Sequence, residues 1–149
     1  MKIISKVFVL CMILIASYHT NAQITTSSKP SLFNKFTTNI PTAINELDKA
    51  FLAAEGSSMQ FNFANNFSFT GTVLSSVQRY RNLSSVIIRL SSMQNSLFSI
   101  SKRINDDNTI TYVGRIINEK YADGYELKKD ISGNYTFNKI KTQDLIQDF

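Results

Sequence analysis

The chain has 149 residues and a formal net charge of +5 at pH 7, from 16 Lys and Arg against 11 Asp and Glu. It contains no Trp, one Cys (Cys11) and one His (His19). Both of these residues lie in a segment that we predict is removed on export. Without a thiol or an imidazole, the remaining chain can form no disulfide, no His-based triad, no Cys nucleophile and no zinc site built on these ligands.

Residues 1–22 are predicted to be a secretory signal peptide. Lys2 and Lys6 supply a positive start, an apolar run covers residues 7–16, and small and polar residues lead to Ala22. The alternative is an uncleaved anchor, but the apolar run is shorter than the roughly 20 residues that a membrane span needs. We expect cleavage after Ala22, export to the periplasm or the cell exterior, and no transmembrane segment after cleavage. Loss of the two lysines lowers the formal charge from +5 to +3.

The segment 23–40 is rich in Ser and Thr and has little periodicity, which is typical of a flexible leader. Three apolar residues within it, Phe33, Phe36 and Ile40, can dock onto a folded domain. We expect a single α+β domain over residues 41–149, because a chain of this size can bury enough surface for one core.

Residues 41–56 are predicted to form an N-terminal helix. Thr42 is placed to act as the N-cap, accepting a hydrogen bond from an otherwise unpaired amide. Gly56 is placed to end the last turn in a left-handed conformation. Apolar residues recur at helical spacing on one face, and they are Ile44, Leu47, Phe51 and Ala54.

Beyond Ser57 apolar and polar residues alternate, as they do in half-buried antiparallel strands. The links are short and carry turn residues, as at 91–96 and 105–108, which favours a meander of neighbouring strands. We predict an α+β fold, with the helix packed on an antiparallel β-meander of about six strands. The alternative is a small closed β-barrel with the helix across one mouth. The alternating runs lie at residues 59–63, 67–77, 85–90, 97–104, 109–117 and 134–140. Their predicted inward residues are Met59, Phe61, Phe63, Phe67, Phe69, Gly71, Val73, Val77, Val86, Ile88, Leu90, Phe98, Ile100, Ile104, Ile110, Tyr112, Ile116, Tyr135 and Phe137.

The stretch YADGYELKKDISGNYTF, residues 121–137, predicts two turns. Asp-Gly at 123–124 is a strong hairpin signal, because both positions tolerate positive φ. The second turn lies at 132–134, and residues 125–129 become a short edge strand between the two. The last residues, 141–149, predict a short helix.

No catalytic or metal-binding motif is recognisable in the mature chain. Acidic residues cluster at 105–108 and 123–130, but neither cluster has the spacing of a calcium loop, and acids in hairpins usually bond to their own backbone. Ser99 and Lys102 match the S-x-x-K pattern of serine β-lactamases, but in a strand they point to opposite faces. We predict no enzyme activity, no metal and no cofactor.

Basic residues cluster at 79–81, 102–103 and 128–129. Arginine interleaved with aromatic side chains can bind nucleic acid, but the charge is modest and exported proteins rarely meet it. Such clusters are usually a solvated face, so we expect no nucleic-acid partner. The remaining alternative is contact with an acidic envelope surface, such as lipid headgroups or anionic glycans.

Three tyrosines, Tyr121, Tyr125 and Tyr135, surround the two predicted turns, and Lys128 and Lys129 lie on the strand between them. Tyrosine combines a large contact area with a hydroxyl group and is enriched at interfaces. These five residues are predicted to form a binding patch. The alternative is that the tyrosines only cover the sheet edge.

Three functions are compatible with these features. The leading hypothesis is an exported, non-catalytic binding or interaction protein of the bacterial periplasm or cell surface, with an unknown protein, glycan or lipid partner. The second is a secreted protease inhibitor or prodomain-like regulator that docks an edge strand or its C-terminus in the partner's cleft. The third is a small enzyme that relies on carboxylates and tyrosines alone.

Overall fold

The computed structural model describes residues 29–64 and 66–146. The predicted signal peptide and the end of the predicted C-terminal helix, residues 147–149, lie outside the described residues. Within these residues, neither of the two short helices has the length and apolar character needed to cross a bilayer. The elements are β1 (Asn39–Thr42), α1 (Ile44–Lys49), β2 (Ser58–Ala64), β3 (Phe67–Tyr80), β4 (Leu83–Leu90), β5 (Ser96–Ile104), β6 (Ile110–Ile117), β7 (Asp123–Lys129), β8 (Tyr135–Lys141) and a 3₁₀ helix (Thr142–Ile146).

The eight strands form one antiparallel sheet in the order β1-β8-β7-β6-β5-β4-β3-β2. Its two outer strands, β1 and β2, lie side by side, so the sheet curls into a nearly closed barrel. The antiparallel sheet is therefore confirmed, and the barrel alternative fits this nearly closed sheet. The α+β fold with about six strands is matched only in part, because the described residues hold eight strands and a single α-helix of six residues.

The interior of the barrel is filled by the apolar side chains that the alternation predicted. Phe61 and Phe63 stack with ring centroids 5.5 Å apart, and Phe98 meets Phe61 edge-on at 5.8 Å. The barrel centre is therefore filled by closely packed aromatic side chains. The predicted inward residues that are buried are Phe61, Phe63, Phe67, Phe69, Val73, Val86, Ile88, Leu90, Phe98, Ile100, Tyr112, Ile116, Tyr135 and Phe137.

Three predicted inward residues are instead exposed, namely Val77, Ile104 and Ile110. Val77 follows a register shift in β3 that lies between Val73 and Ser75, and this shift reverses the faces of the strand. Ile104 and Ile110 pair across β5 and β6 at one end of the barrel, beyond the last layer of the core.

The N-terminal helix is shorter than predicted. Thr42 is the last residue of β1, and its hydroxyl donates to the carbonyl oxygen of Ile40 at 3.3 Å instead of capping a helix. The helix ends at Lys49, and Gly56 has its predicted positive φ of 82° but lies in a loop. The amide of Gly56 donates to the carbonyl oxygen of Val73 at 2.9 Å. This cross-strand bond fixes the end of the loop to β3, and residues 50–56 form two turns where the helix was expected.

The Asp-Gly pair at 123–124 is not a hairpin turn, contrary to the prediction. The turn occupies residues 118–122, and Asp123 and Gly124 are the buried first residues of β7. A Cβ atom on Gly124 would lie 2.6 Å from the carbonyl oxygen of Ile116. The glycine is therefore needed for a close approach of two strands. The second turn is confirmed, with Gly133 at a φ of 88°.

Residues 31–38, which we call the strap, close one end of the barrel. They belong to the predicted leader, and they bring Phe33 fully into the core. The ring of Phe33 meets Tyr125 edge-on at 5.2 Å, and Phe36 meets Phe67 at 5.2 Å. Together with Ile40 in β1, the strap gives the fold apolar contacts that begin before residue 41.

Three side chains of the sheet fasten the strap through its backbone. The carboxylate of Asp123 accepts hydrogen bonds from the Leu32 amide at 2.7 Å, from the Phe33 amide at 3.0 Å and from the Ser31 hydroxyl. Lys139 donates to the carbonyl oxygens of Phe33 and Phe36, both at 2.8 Å. The Tyr125 hydroxyl donates to the carbonyl oxygen of Thr37 at 2.6 Å. Buried charges are tolerated at this end because backbone groups satisfy them.

Candidate functional site

The opposite end of the barrel, which we call the mouth, is open because three strands run past the core. Val86 and Ile100 are cross-strand partners in the last apolar layer. Since side chains alternate along a strand, the next inward layer holds Ser84 and its partner Lys102, with Gln78 of β3 opposite Ser84. Polar side chains therefore replace the apolar core at this level.

A cleft of about 470 Å³ lies in the mouth, between this polar layer and the chain that follows α1. Its floor is polar, whereas the exposed side chains of Leu52 and Ile104 form apolar walls. The lining residues are Asp48, Phe51, Leu52, Gln78, Arg81, Asn82, Ser84, Lys102 and Ile104.

One carboxylate holds the floor of the cleft together. Asp48 accepts a hydrogen bond from the Lys102 ammonium at 2.6 Å and from the Tyr112 hydroxyl at 2.5 Å. The Lys102 nitrogen also lies 5.9 Å from the ring centroid of Phe51 and 5.8 Å from that of Tyr112, within the range of a cation–π contact. These contacts tie α1 to β5 and β6.

The titration behaviour of this group follows from its contacts. Burial acts to raise the pKa of Asp48, but the hydrogen bonds from Lys102 and Tyr112 outweigh it, so the pKa lies below its ordinary value. Burial and the neighbouring Asp48 carboxylate raise the pKa of Tyr112 well above 10.0. The carboxylate therefore stays ionised and the phenol stays protonated at neutral pH, a state that suits a structural contact better than proton transfer.

Arg81 gives the cleft an excess of positive charge. Asp48 neutralises Lys102, whereas Arg81 makes no ion pair with any residue in 29–64 or 66–146. The tight turn that carries Arg81 is held in place by two side chains, because Gln78 donates to the Arg81 carbonyl oxygen at 3.4 Å and Asn82 donates to that of Ile104 at 3.2 Å. An anionic group that enters the cleft would meet a guanidinium that has no acidic partner among the described residues.

The predicted binding patch does not come together on one surface. Tyr125 and Tyr135 are buried in the core, Tyr121 is half-buried, and Lys128 and Lys129 are exposed. Burial, followed by the charge of Asp123, raises the pKa of Tyr125 to about 12. The one close contact within the patch is that of Lys129, whose nitrogen lies 5.7 Å from the ring centroid of Tyr135.

A wider concavity of about 790 Å³ lies beside the strap, between β7, β8 and the 3₁₀ helix. It is larger than the cleft in the mouth, but three of its five charged groups have partners, and the other two, Lys141 and Asp144, are of opposite charge and lie three residues apart. Asp123 and Lys139 hold the strap, and Glu126 pairs with Arg115 at 2.8 Å and with Lys128 at 3.4 Å. We therefore favour the smaller cleft as the binding site.

The other sequence candidates have structural roles. Asp107 accepts hydrogen bonds from the amide and the hydroxyl of Thr109, and Asp130 accepts from the amide of Asn134. Both acids thus form turns, as predicted. Ser99 is exposed on the outside of β5, whereas Lys102 lines the cleft, so the S-x-x-K pair is divided between two faces.

No family model, no curated protein and no solved structure matches this chain. Function is therefore inferred from the geometry of the described residues.

Most of the cleft was missed in the sequence, although a signal for it exists. The clusters at 79–81 and 102–103 were assigned to a solvated face, and nothing placed them at the same end as Asp48. The usable signal is that the inward positions beyond Val86 and Ile100 change from apolar residues to Ser84 and Lys102. Such a change marks the level at which a barrel core stops.

Proposed function

We propose that the chain is an exported, non-catalytic binding protein, and that the cleft in the mouth of its barrel is the ligand site. The observation that carries this proposal is the unpaired Arg81 guanidinium at a solvent-open cleft, in a barrel whose centre is filled with aromatic side chains. Ligand sites in small barrels are commonly found at the mouth.

The residues that line the cleft indicate which chemical groups a ligand would carry. A carboxylate or phosphate group can pair with Arg81, hydroxyl or amide groups can bond to Gln78 and Ser84, and an apolar part can lie against Leu52 and Ile104. The volume of about 470 Å³ suits a small molecule or a protruding segment of a larger partner. The ligand is thus an anionic compound with a short apolar portion, carried freely or on an envelope glycan, lipid or protein.

The proposal of a non-catalytic protein is supported by the contacts of the reactive side chains in the cleft. Lys102, Asp48 and Tyr112 are bonded to one another, and the pKa values of the carboxylate and the phenol are shifted away from neutrality. A general acid or base works best with a pKa near the working pH.

The protease-inhibitor alternative gains little support from the architecture. A strand that docks in a protease needs an open edge, whereas β1 and β2 face each other at the seam of the barrel. In addition, the Asn62 amide at the edge of β2 donates to the Glu46 carboxylate at 3.0 Å.

A test compares two serine variants of the exported protein. Ser84→Phe fills the cleft floor, and Ser99→Phe makes the same chemical change on the outer surface of the neighbouring strand. Thermal-shift and calorimetric titrations would use a panel of short fatty acids, sugar phosphates and acidic oligosaccharides. We expect at least one compound to bind the native protein and the Ser99→Phe variant, but not Ser84→Phe.

Arg81→Gln separates the charge from the shape of the cleft. Loss of a charge-assisted hydrogen bond should weaken the binding of an anionic compound by about tenfold or more, while Lys120→Gln at the strap end should leave it unchanged. Binding that survives both Ser84→Phe and Arg81→Gln would place the ligand elsewhere and refute the proposal.

A further inference from the structure

The open end of the barrel carries a second feature, an exposed rim that surrounds the cleft. We define the rim as Arg79, Tyr80, Arg81 and Arg103, together with Leu52 and Ile104. Tyr80 is 70% exposed, Leu52 is 85% exposed and Ile104 is 42% exposed. Three cations and three sizeable apolar or aromatic side chains therefore meet solvent at one end of the molecule.

This side of the barrel is unusually free of negative charge. No Asp or Glu occurs between Glu55 and Asp106, the segment that forms the four adjacent strands β2 to β5. The segment carries five cations, Arg79, Arg81, Arg89, Lys102 and Arg103. Of these, Lys102 alone has an acidic partner within residues 29–64 and 66–146.

Among the acids at the same end of the barrel, Glu46 and Asp48 of α1 pair with Lys49 and Lys102, and Glu55 follows in the α1–β2 loop. The other acids at this end lie beyond β5. Asp106 and Asp107 are in the β5–β6 turn, and Asp130 is in the β7–β8 turn. Asp107 and Asp130 accept hydrogen bonds within their own turns, and the charge of Lys129 acts on Asp107. Within residues 29–64 and 66–146, none of these acids forms an ion pair with a rim arginine.

We propose that the rim docks the protein onto an anionic lipid surface. Arginine pairs with headgroup phosphates, and a tyrosine with an apolar ring and a polar tip prefers the bilayer interface. Leu52 and Ile104 can enter the acyl boundary beside these cations. A soluble polyanion would use the arginines but would gain little from the exposed apolar side chains, and this difference favours the bilayer.

Docking in this way would turn the cleft towards the headgroups and the strap away from them. The inference goes beyond the proposed ligand site, because Arg79, Tyr80 and Arg103 do not line the cleft. Variants of these three residues can therefore test the rim while the cleft stays intact.

The test is co-sedimentation of the exported protein, with loss of residues 1–22 verified by intact mass, on vesicles of known composition. Phosphatidylcholine vesicles are compared with phosphatidylcholine–phosphatidylglycerol vesicles at low and raised salt. We expect binding to the anionic vesicles only, and weaker binding as salt rises. Equal binding to both vesicle types would overturn the proposal.

A pair of double variants separates position from net charge. Arg79→Gln with Arg103→Gln should lower the partition coefficient about 25-fold, at roughly fivefold for each cation near the surface. Lys35→Gln with Lys120→Gln removes the same charge at the strap end and should change it less than about threefold. Equal losses in the two double variants would mean that net charge alone drives binding, and the rim would carry no role.

Tyr80→Ser distinguishes a bilayer from a soluble polyanion. Removing the Tyr80 ring, which the proposal places in the bilayer interface, should weaken vesicle binding about fivefold but leave binding to heparin in solution unchanged. Val113→Ser on the outer face of β6 should alter neither. If Tyr80→Ser has no effect on vesicle binding while heparin binds as tightly as vesicles do, the rim is a polyanion site and the lipid proposal falls.

Discussion

The two ends of the barrel use the same three kinds of residue for opposite results. At the strap end, Asp123, Lys139 and Tyr125 each bond to the backbone of residues 31–37. At the mouth, Asp48, Lys102 and Tyr112 bond to one another, and Phe51 covers only part of them. One end is therefore closed by a peptide, whereas the other satisfies its charges internally and leaves a cleft. Polar residues in a barrel end are thus insufficient to predict a site, because their partners decide whether the end is open.

The largest expected difference between the two ends is in the loss of stability when one apolar side chain is truncated at each end. Phe33→Ala removes a fully buried ring from the strap and should lower the free energy of unfolding by about 3–5 kcal/mol. Leu52→Ala removes an exposed side chain at the mouth and should change it by less than about 0.5 kcal/mol. Urea unfolding followed by circular dichroism measures both values. Similar losses in the two variants would contradict the assignment of one closed and one open end.

Removing the aspartate at each end, Asp123 or Asp48, should also cost more stability at the strap end, but by a smaller margin than the apolar truncations. Asp123→Ala leaves three donors of the strap without an acceptor in a buried site, and we expect a loss of about 2–4 kcal/mol. Asp48→Ala should cost about 1 kcal/mol or less, because the Asp48 side chain is 37% exposed and water can reach Lys102 from the cleft. Asp106→Ala in an exposed turn is the control. An Asp48 variant that is the less stable of the two would show that the mouth is the more tightly built end.

High pH should act on one tyrosine at each end. The pKa of Tyr125 is raised to about 12, and that of Tyr112 is raised further. Their contribution to stability is fully present below the unfolded value of 10.0 and is lost as pH rises through the folded values. Tyrosinate absorbance at 295 nm should contain a step near pH 12 that is missing in Tyr125→Phe and present in Tyr80→Phe. If the native protein shows no tyrosinate step near pH 12, burial does not raise the pKa of Tyr125.

Low pH should act on the mouth through Asp48. Its pKa is lowered in the folded state, because the bonds from Lys102 and Tyr112 exceed the opposing effect of burial. The stability that it contributes is present above its unfolded pKa of 3.8 and is lost as pH falls through the lower folded value. Thermal unfolding between pH 5 and about 2 should therefore depend less steeply on pH in Asp48→Asn than in the native protein. An unchanged slope would mean that the three-residue contact does not form in solution.

The smallest effect is expected at the seam that both ends share. Glu46 accepts the Asn62 amide at the edge of β2 and pairs with Lys49. Glu46→Ala should cost about 0.5–1 kcal/mol and speed hydrogen exchange at Asn62, whereas Glu55→Ala should do neither. Unchanged protection of Asn62 would show that its amide needs no side-chain partner.

The predicted turn at 123–124 and the predicted helix beyond Lys49 fail for one physical reason. Asp123 and Gly124 form a strong local turn signal, but Asp123 is needed to hold residues 31–33 and Gly124 to let β7 approach Ile116. Both requirements come from residues distant in sequence. The predicted helix beyond Lys49 is absent for the same reason, because the Gly56 amide and the Ser57 carbonyl oxygen bond to Val73 of β3 and hold that segment as a loop. Tertiary contacts override local propensity at such points.

The sequence by itself determined the parts of this protein that depend on near neighbours. Alternation along each strand assigned Phe61, Phe98 and Phe137 to the core, and turn residues placed the links near 91–96 and 105–108. Only the tertiary structure decided which end of the barrel is closed, that Tyr125 is a core residue, and that Arg81, Lys102 and Asp48 surround one cleft. The reason is that the alternation along a strand has a period of two residues, so it predicts only the face of the sheet on which a side chain lies. The distance along the strand at which the core stops, and the segment that covers it, depend on how eight strands are staggered around the barrel.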